Sequence, residues 1–100
     1  MRRKVAKTGD VVPGKTLRVI TDSIELLLCN VDGTIYAIED VCTHDGGPLD
    51  QGTLEGETVV CPRHGATFDV RTGDALTLPA VLPLMTFPVT VEGSDVYVEA

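Results

Sequence analysis

Two short stretches concentrate the chemistry of this 100-residue chain. VCTHDGGPL, residues 41–49, sets Cys42 and His44 two positions apart. VCPRHGATFDV, residues 60–70, sets Cys61 and His64 three apart, with sixteen residues between the pairs. Together they contain both histidines of the chain and two of its three cysteines. Thiolates and neutral imidazoles are metal ligands. Glycine follows each pair, as Gly46 and Gly47 or as Gly65, and lets backbone N–H groups turn toward a negatively charged centre without steric cost.

Two cysteines and two histidines suit either zinc or iron. Structural zinc uses such sets, usually with wider spacing inside each pair. Residues i and i+2 of an extended segment lie roughly 7 Å apart, too wide for one tetrahedral ion unless the loop bends sharply. A two-iron cluster relaxes the demand, because the cysteine and histidine of a pair can reach different irons. The spacing leaves both options open.

Both pairs begin where a strand should end. Runs rich in Val, Ile, Thr and Leu, bounded by Gly, Asp, Asn or Pro, predict strands at 15–20, 23–31, 34–39, 57–61, 66–70, 86–92 and 95–99. Asp32-Gly33 and Gly93-Ser94 read as two-residue hairpin turns. Around the second, Val89, Val91, Val96 and Val98 alternate onto one face. No helical period persists, and six prolines punctuate the chain. The expected fold is all-β, a sandwich of small antiparallel sheets whose rigid strand ends carry the two loops.

Length fits a single domain, 1–100, in which bound metal would add folding free energy. Six of the eight basic residues lie at or before Arg18, and residues 19–62 contain nine acidic residues with no Lys or Arg. That balance argues against nucleic acid and suits a basic protein partner or plain solubility. No apolar run spans a bilayer. The basic N-terminus lacks the apolar stretch of a signal peptide, so the expected location is cytoplasmic. An odd cysteine count in such a chain favours metal or core roles over disulfides.

The pattern C-x-H, sixteen residues, C-x-x-H resembles the Rieske [2Fe–2S] proteins, as do IYAIEDVCTHDGGPLDQG and VVCPRHGATFDVRTGDAL around it. LPAVLP, residues 78–83, resembles the proline-containing third loop that covers the cluster. The resemblance runs from the strand near Val5 to the final VYVE. It implies a Rieske-like sandwich with a cluster-binding subdomain at about 40–83 and one [2Fe–2S] cluster per chain. Cys42 and Cys61 would bind one iron, deeper in the protein, and His44 and His64 the other, at a solvent-facing tip. It further implies no reaction of the protein's own, but a free-standing, monomeric ferredoxin. Such a protein passes single electrons from a flavin reductase to a terminal oxygenase acting on aromatic compounds. The rivals are a Rieske subunit of another oxidoreductase, such as a nitrite reductase, and a zinc-stabilised interaction module.

Respiratory and photosynthetic Rieske proteins carry one further cysteine in each loop, joined as a disulfide. The matching positions here are Gly47 and Arg63, which cannot form it. The serine and tyrosine hydroxyls of those high-potential members are replaced by Ala66 and Phe68. Fewer hydrogen bonds to sulfur imply a potential near the bottom of the roughly −150 to +300 mV Rieske range. Asp45, Asp50 and Arg63 are candidate rim residues for docking, and Pro48 and Pro62 should stiffen the loops. Cys29, in an apolar run, is expected as a buried core residue. Met85, Phe87, Tyr36 and Tyr97 are expected at core positions of strands.

Overall fold

A computed structural model describes residues 2–43, 46–63, 65–78 and 80–99. Among them are eleven strands in three antiparallel sheets, and a 3₁₀ turn at Thr8–Asp10 is the one helical element. The strands are β1 (Arg2–Lys7), β2 (Thr16–Thr21), β3 (Ile24–Val31), β4 (Thr34–Glu39), β5 (Thr53–Glu55), β6 (Thr58–Val60), β7 (Thr67–Asp69), β8 (Ala75–Thr77), β9 (Thr86–Phe87), β10 (Val89–Glu92) and β11 (Asp95–Glu99). They pair as β1-β11-β10, β2-β3-β4-β9 and β5-β6-β7-β8. No helix of the described residues is long and apolar enough to cross a membrane.

The central sheet is buried on both faces, which explains the unbroken apolar run of β3. Successive side chains point to opposite faces of a strand. Leu26 and Leu28 therefore join Val96 and Val98 of β11 in one core, while Leu27 and Cys29 join Val59, Phe68 and Val70 in another. β4 divides likewise, Ile35 and Ala37 facing the first core and Ile38 the second. The second core also contains Cys42 and Cys61. The sheet nearest the candidate ligands is thus fastened to the rest of the molecule through β3 and β4.

Hairpin chemistry follows the expected turns. Asp32 and Gly33 both take positive φ, at 50° and 95°, between the paired Val31 and Thr34, the geometry that matches strand twist. Gly93, at φ 62°, turns β10 into β11 with Val89 opposite Val98 and Val91 opposite Val96. The four valines share a face, although Val91 lies at its open end and is half exposed.

Several boundaries differ from expectation. Ser23 belongs to a turn, with Asp22 and Ser23 at φ 48° and 67° between Thr21 and Ile24. The 86–92 run is two strands in different sheets. Phe87 pairs with Ala37, while Val89 pairs with Val98, and Pro88 between them has no N–H to continue a ladder. The Pro88 carbonyl accepts from the Glu99 N–H at 3.0 Å and so opens the next ladder. β1, polar and basic, earns its place by pairing with β11. Its Arg2 guanidinium lies 3.9 Å from the centroid of the Tyr97 ring. Tyr97 consequently sits on the face opposite Val96 and Val98, outside the core. Met85, 61% exposed, is no core residue either. Phe87 and Tyr36 pack against the cores from partly buried positions.

Candidate metal centre

The two cysteine-led loops have the same backbone design. In the first, the Cys42 N–H donates to the Gly47 carbonyl at 2.7 Å and the Gly46 N–H donates to the Cys42 carbonyl at 2.7 Å. In the second, the Cys61 N–H donates to Ala66 O at 2.8 Å and the Gly65 N–H to Cys61 O at 3.1 Å. Gly46 and Gly65 take φ of 75° and 73°, a conformation that L side chains resist. Each loop thus closes on the glycine four residues after its cysteine, whether the intervening histidine comes second or third.

Cys42 and Cys61 are 0% and 1% exposed and sit in one apolar group with Leu49, Ala66, Phe68, Ala80 and Leu84. No disulfide involves either of them or Cys29. His44, His64 and Asp45 lie outside the described residues, as does Pro79 of the LPAVLP segment. Among the described residues no group of three His, Cys, Asp or Glu side chains forms a metal site elsewhere. Cys29 is fully buried, and burial followed by the Asp40 charge pushes its thiol up to about 12. It is the inert core residue expected.

Asp40 anchors the first loop, a role the sequence did not reveal. Its Oδ1 accepts from the N–H groups of Leu49 and Asp50 at 2.8 and 2.9 Å, and its Oδ2 from Arg18 Nε at 3.1 Å. Burial raises its carboxyl above the ordinary value, against the lowering pull of the Leu49 N–H. The Asp50 charge adds to the rise, while the Asp50 N–H and Arg18 oppose it. The only available signal was an Asp directly after a strand and two positions before a candidate ligand.

The second loop leans on the first through Arg63. Its Nη1 donates to the Pro48 carbonyl at 3.0 Å and its Nη2 to Cys61 Sγ at 3.4 Å. The third loop is tied in as well: Thr43 Oγ1 donates to Leu82 O at 2.7 Å, and the Leu84 N–H to Gly73 O at 2.7 Å. A Cβ on Gly73, itself at φ 84°, would lie 2.3 Å from Leu84 O. The third loop thus buries Ala80 and Leu84 beside the cysteines and turns Leu78, Val81 and Leu82 outward. Ala66 and Phe68 are fully buried and bring no hydroxyl to the centre.

Three small antiparallel sheets present two equivalent cysteine-led loops, the layout of a small metal-binding domain. The chain matches the Rieske [2Fe–2S] domain over residues 1–88, and it belongs to that family. It is 45% identical over 96 residues to the ferredoxin component of biphenyl 2,3-dioxygenase from Rhodococcus jostii, covering 96% of this chain and 90% of that protein. Its fold superposes on a ferredoxin from Sphingomonas yanoikuyae B1 with a TM-score of 0.94 and 31% identity, covering 100% of this chain and 99% of the other. A chain in the complex of reduced oxygenase and oxidized ferredoxin of carbazole 1,9a-dioxygenase matches with a TM-score of 0.91 and 39% identity, covering 97% and 91%. The expected all-β Rieske fold is therefore borne out.

Proposed function

We propose that Cys42, His44, Cys61 and His64 hold one [2Fe–2S] cluster per chain, and that the protein carries single electrons from a flavin-dependent reductase to a terminal oxygenase of the aromatic-ring-hydroxylating type. The observation that carries this reading is the pair of equivalent loops, each headed by a buried cysteine outside any disulfide. Those residues fit the cluster: two thiols share one apolar core, and their own amides and carbonyls are already bonded within the loops. The cluster supplies the capacity to take and return one electron. The chain excludes water from the cysteine side, through Leu49, Phe68, Ala80 and Leu84, and holds the loops in register. As with its ferredoxin relatives, its role is electron transfer and not catalysis.

Docking falls to the apolar collar of the third loop. Leu78, Val81, Leu82 and Met85 are each more than half exposed, and such a patch marks an interaction surface. The substrate is read by the oxygenase, since relatives of this one frame are named for biphenyl and carbazole dioxygenases. A carrier that must undock between partners is a monomer, here of one domain spanning 1–100 with its cluster-binding part at about 40–83. It works in the cytoplasm.

Electron paramagnetic resonance of the dithionite-reduced protein tests the ligand set. A rhombic signal with average g below that of all-cysteine clusters, integrating to one spin per chain, is expected. Absence of that signal together with stoichiometric zinc would make the loops a structural clamp.

A further inference from the structure

The two glycines that follow the first histidine have different physical purposes. Gly46 takes positive φ and has open space around it. Gly47 takes no positive φ, yet a Cβ there would lie 2.6 Å from Arg63 Cζ, 2.7 Å from Nη2 and 2.8 Å from Nε. The Arg63 guanidinium packs against the bare Cα of Gly47 and would have to shift for any side chain there. The same guanidinium reaches Pro48 O with one nitrogen and Cys61 Sγ with another. The Gly47 carbonyl, in turn, holds the Cys42 N–H. One planar group thus touches one cysteine sulfur directly and is a single hydrogen bond removed from the other cysteine. Between Arg18 and Arg71 the chain has no other Lys or Arg.

We propose that Arg63 is the positioning residue of this centre: it straps the two cysteine-led loops together across Gly47 and holds a fixed positive charge at the Cys61 sulfur that raises the potential. The assignment rests on the ligand set proposed above. Guanidinium stays charged at every working pH, and its planar fork reaches a carbonyl and a sulfur with two nitrogens held at a fixed separation, where an ammonium offers a single nitrogen. Reduction adds one negative charge to the centre, and a donor held against a ligand sulfur stabilises the charged state more than the neutral one. Removing the charge therefore favours the oxidised form.

Redox titration of purified holoprotein, followed by its paramagnetic signal, tests this. Arg63→Gln should lower the reduced-to-oxidised ratio at a given ambient potential about tenfold, equivalent to a midpoint about 59 mV lower for a one-electron couple. Arg63→Lys should recover most of the potential but lose iron to a chelator faster than wild type, since charge is kept and the fork is lost. Gly47→Ala, which displaces the guanidinium and leaves Arg63 in the chain, should lower the midpoint in the same direction. The Gly47→Ala, Arg63→Gln double variant should fall no lower than Arg63→Gln alone, the non-additivity of two residues acting through one contact. A normal signal with an unmoved midpoint in Arg63→Gln, or additive shifts in the double variant, would overturn the proposal. A wild-type protein without the Rieske signal would overturn the ligand set, and the strap with it.

Discussion

The Thr43 hydroxyl donates to the Leu82 carbonyl at 2.7 Å across 39 residues of sequence, so the loop of the first cysteine is tied to the outward-facing third loop. Thr43 directly follows Cys42, while Leu82 belongs to the exposed apolar collar. One hydrogen bond thus connects the collar to the residue next to a candidate ligand. Thr43→Val should cost about 1 kcal/mol of stability, the net worth of one hydrogen bond. Chelator-driven bleaching should speed up in that variant, and Thr43→Ser should restore the wild-type rate.

Asp40 supports the same loop from beneath. Asp40→Ala would orphan the N–H of buried Leu49 and of Asp50, at about 1–3 kcal/mol for each donor left unsatisfied. Asp40→Asn keeps an oxygen for both donors but turns an NH2 toward Arg18, giving up the charge and the hydrogen bond from Arg18 Nε, a residue whose side chain is 38% exposed. Chemical denaturation should accordingly rank wild type close to the Asn variant and well above the Ala variant. Equal losses in the two variants would show that the ion pair, and not the pair of amides, anchors the loop.

Acid stability should carry a signature of Asp69. The Arg71 side chain donates to it at 2.9 and 3.2 Å and the Arg71 N–H at 2.8 Å. The side-chain hydrogen bond from Arg71 is the main cause that holds its carboxyl below the usual value, with burial working against it. A depressed value in the folded state means stability that is present above the unfolded pKa of about 3.9 and is lost as pH falls through the folded value. Asp69→Asn should therefore be less stable than wild type at neutral pH, and the gap should close below about pH 4. Asp40, whose value is raised, has the opposite sign, because acid relieves the cost of burying its charge. Denaturation midpoints measured against pH in the two Asn variants would separate these slopes.

Ala66 and Phe68 occupy fully buried positions beside the cysteines. Ala66→Ser or Phe68→Tyr would add a hydroxyl where the high-potential relatives have one, and the midpoint should rise in either variant. The wild-type value should lie near the bottom of the roughly −150 to +300 mV Rieske range. An unchanged midpoint in both variants would rule out missing sulfur hydrogen bonds as the cause of a low potential.

What the chain spells out locally was legible. Asp32-Gly33 and Gly93-Ser94 turn as their φ preferences demand, and the unbroken apolar run around Cys29 is a strand buried on both faces. The cysteine and histidine spacing pointed to the family before any coordinates. The short strands β5 and β8 were not legible: three residues at the edge of a sheet are too few to show alternation. β1 was legible only through the resemblance, which placed a strand near Val5; its own composition did not show it, because its basic residues gain their place from β11, at the other end of the chain. Met85 and Tyr97 looked like core residues by type, but pairing register and loop path turned them outward.

The amino-acid order thus determined on its own which residues could serve a metal centre, where the hairpins turn and which strand lies deepest, since each depends on neighbours a few positions away. Tertiary structure alone decided that Arg63 covers Gly47, that Asp40 holds Leu49 and Asp50, and that Thr43 reaches Leu82. Hydrogen bonding and packing act over a few ångströms of space, whatever the separation along the chain. Such contacts exist only once the three sheets have folded the distant segments together.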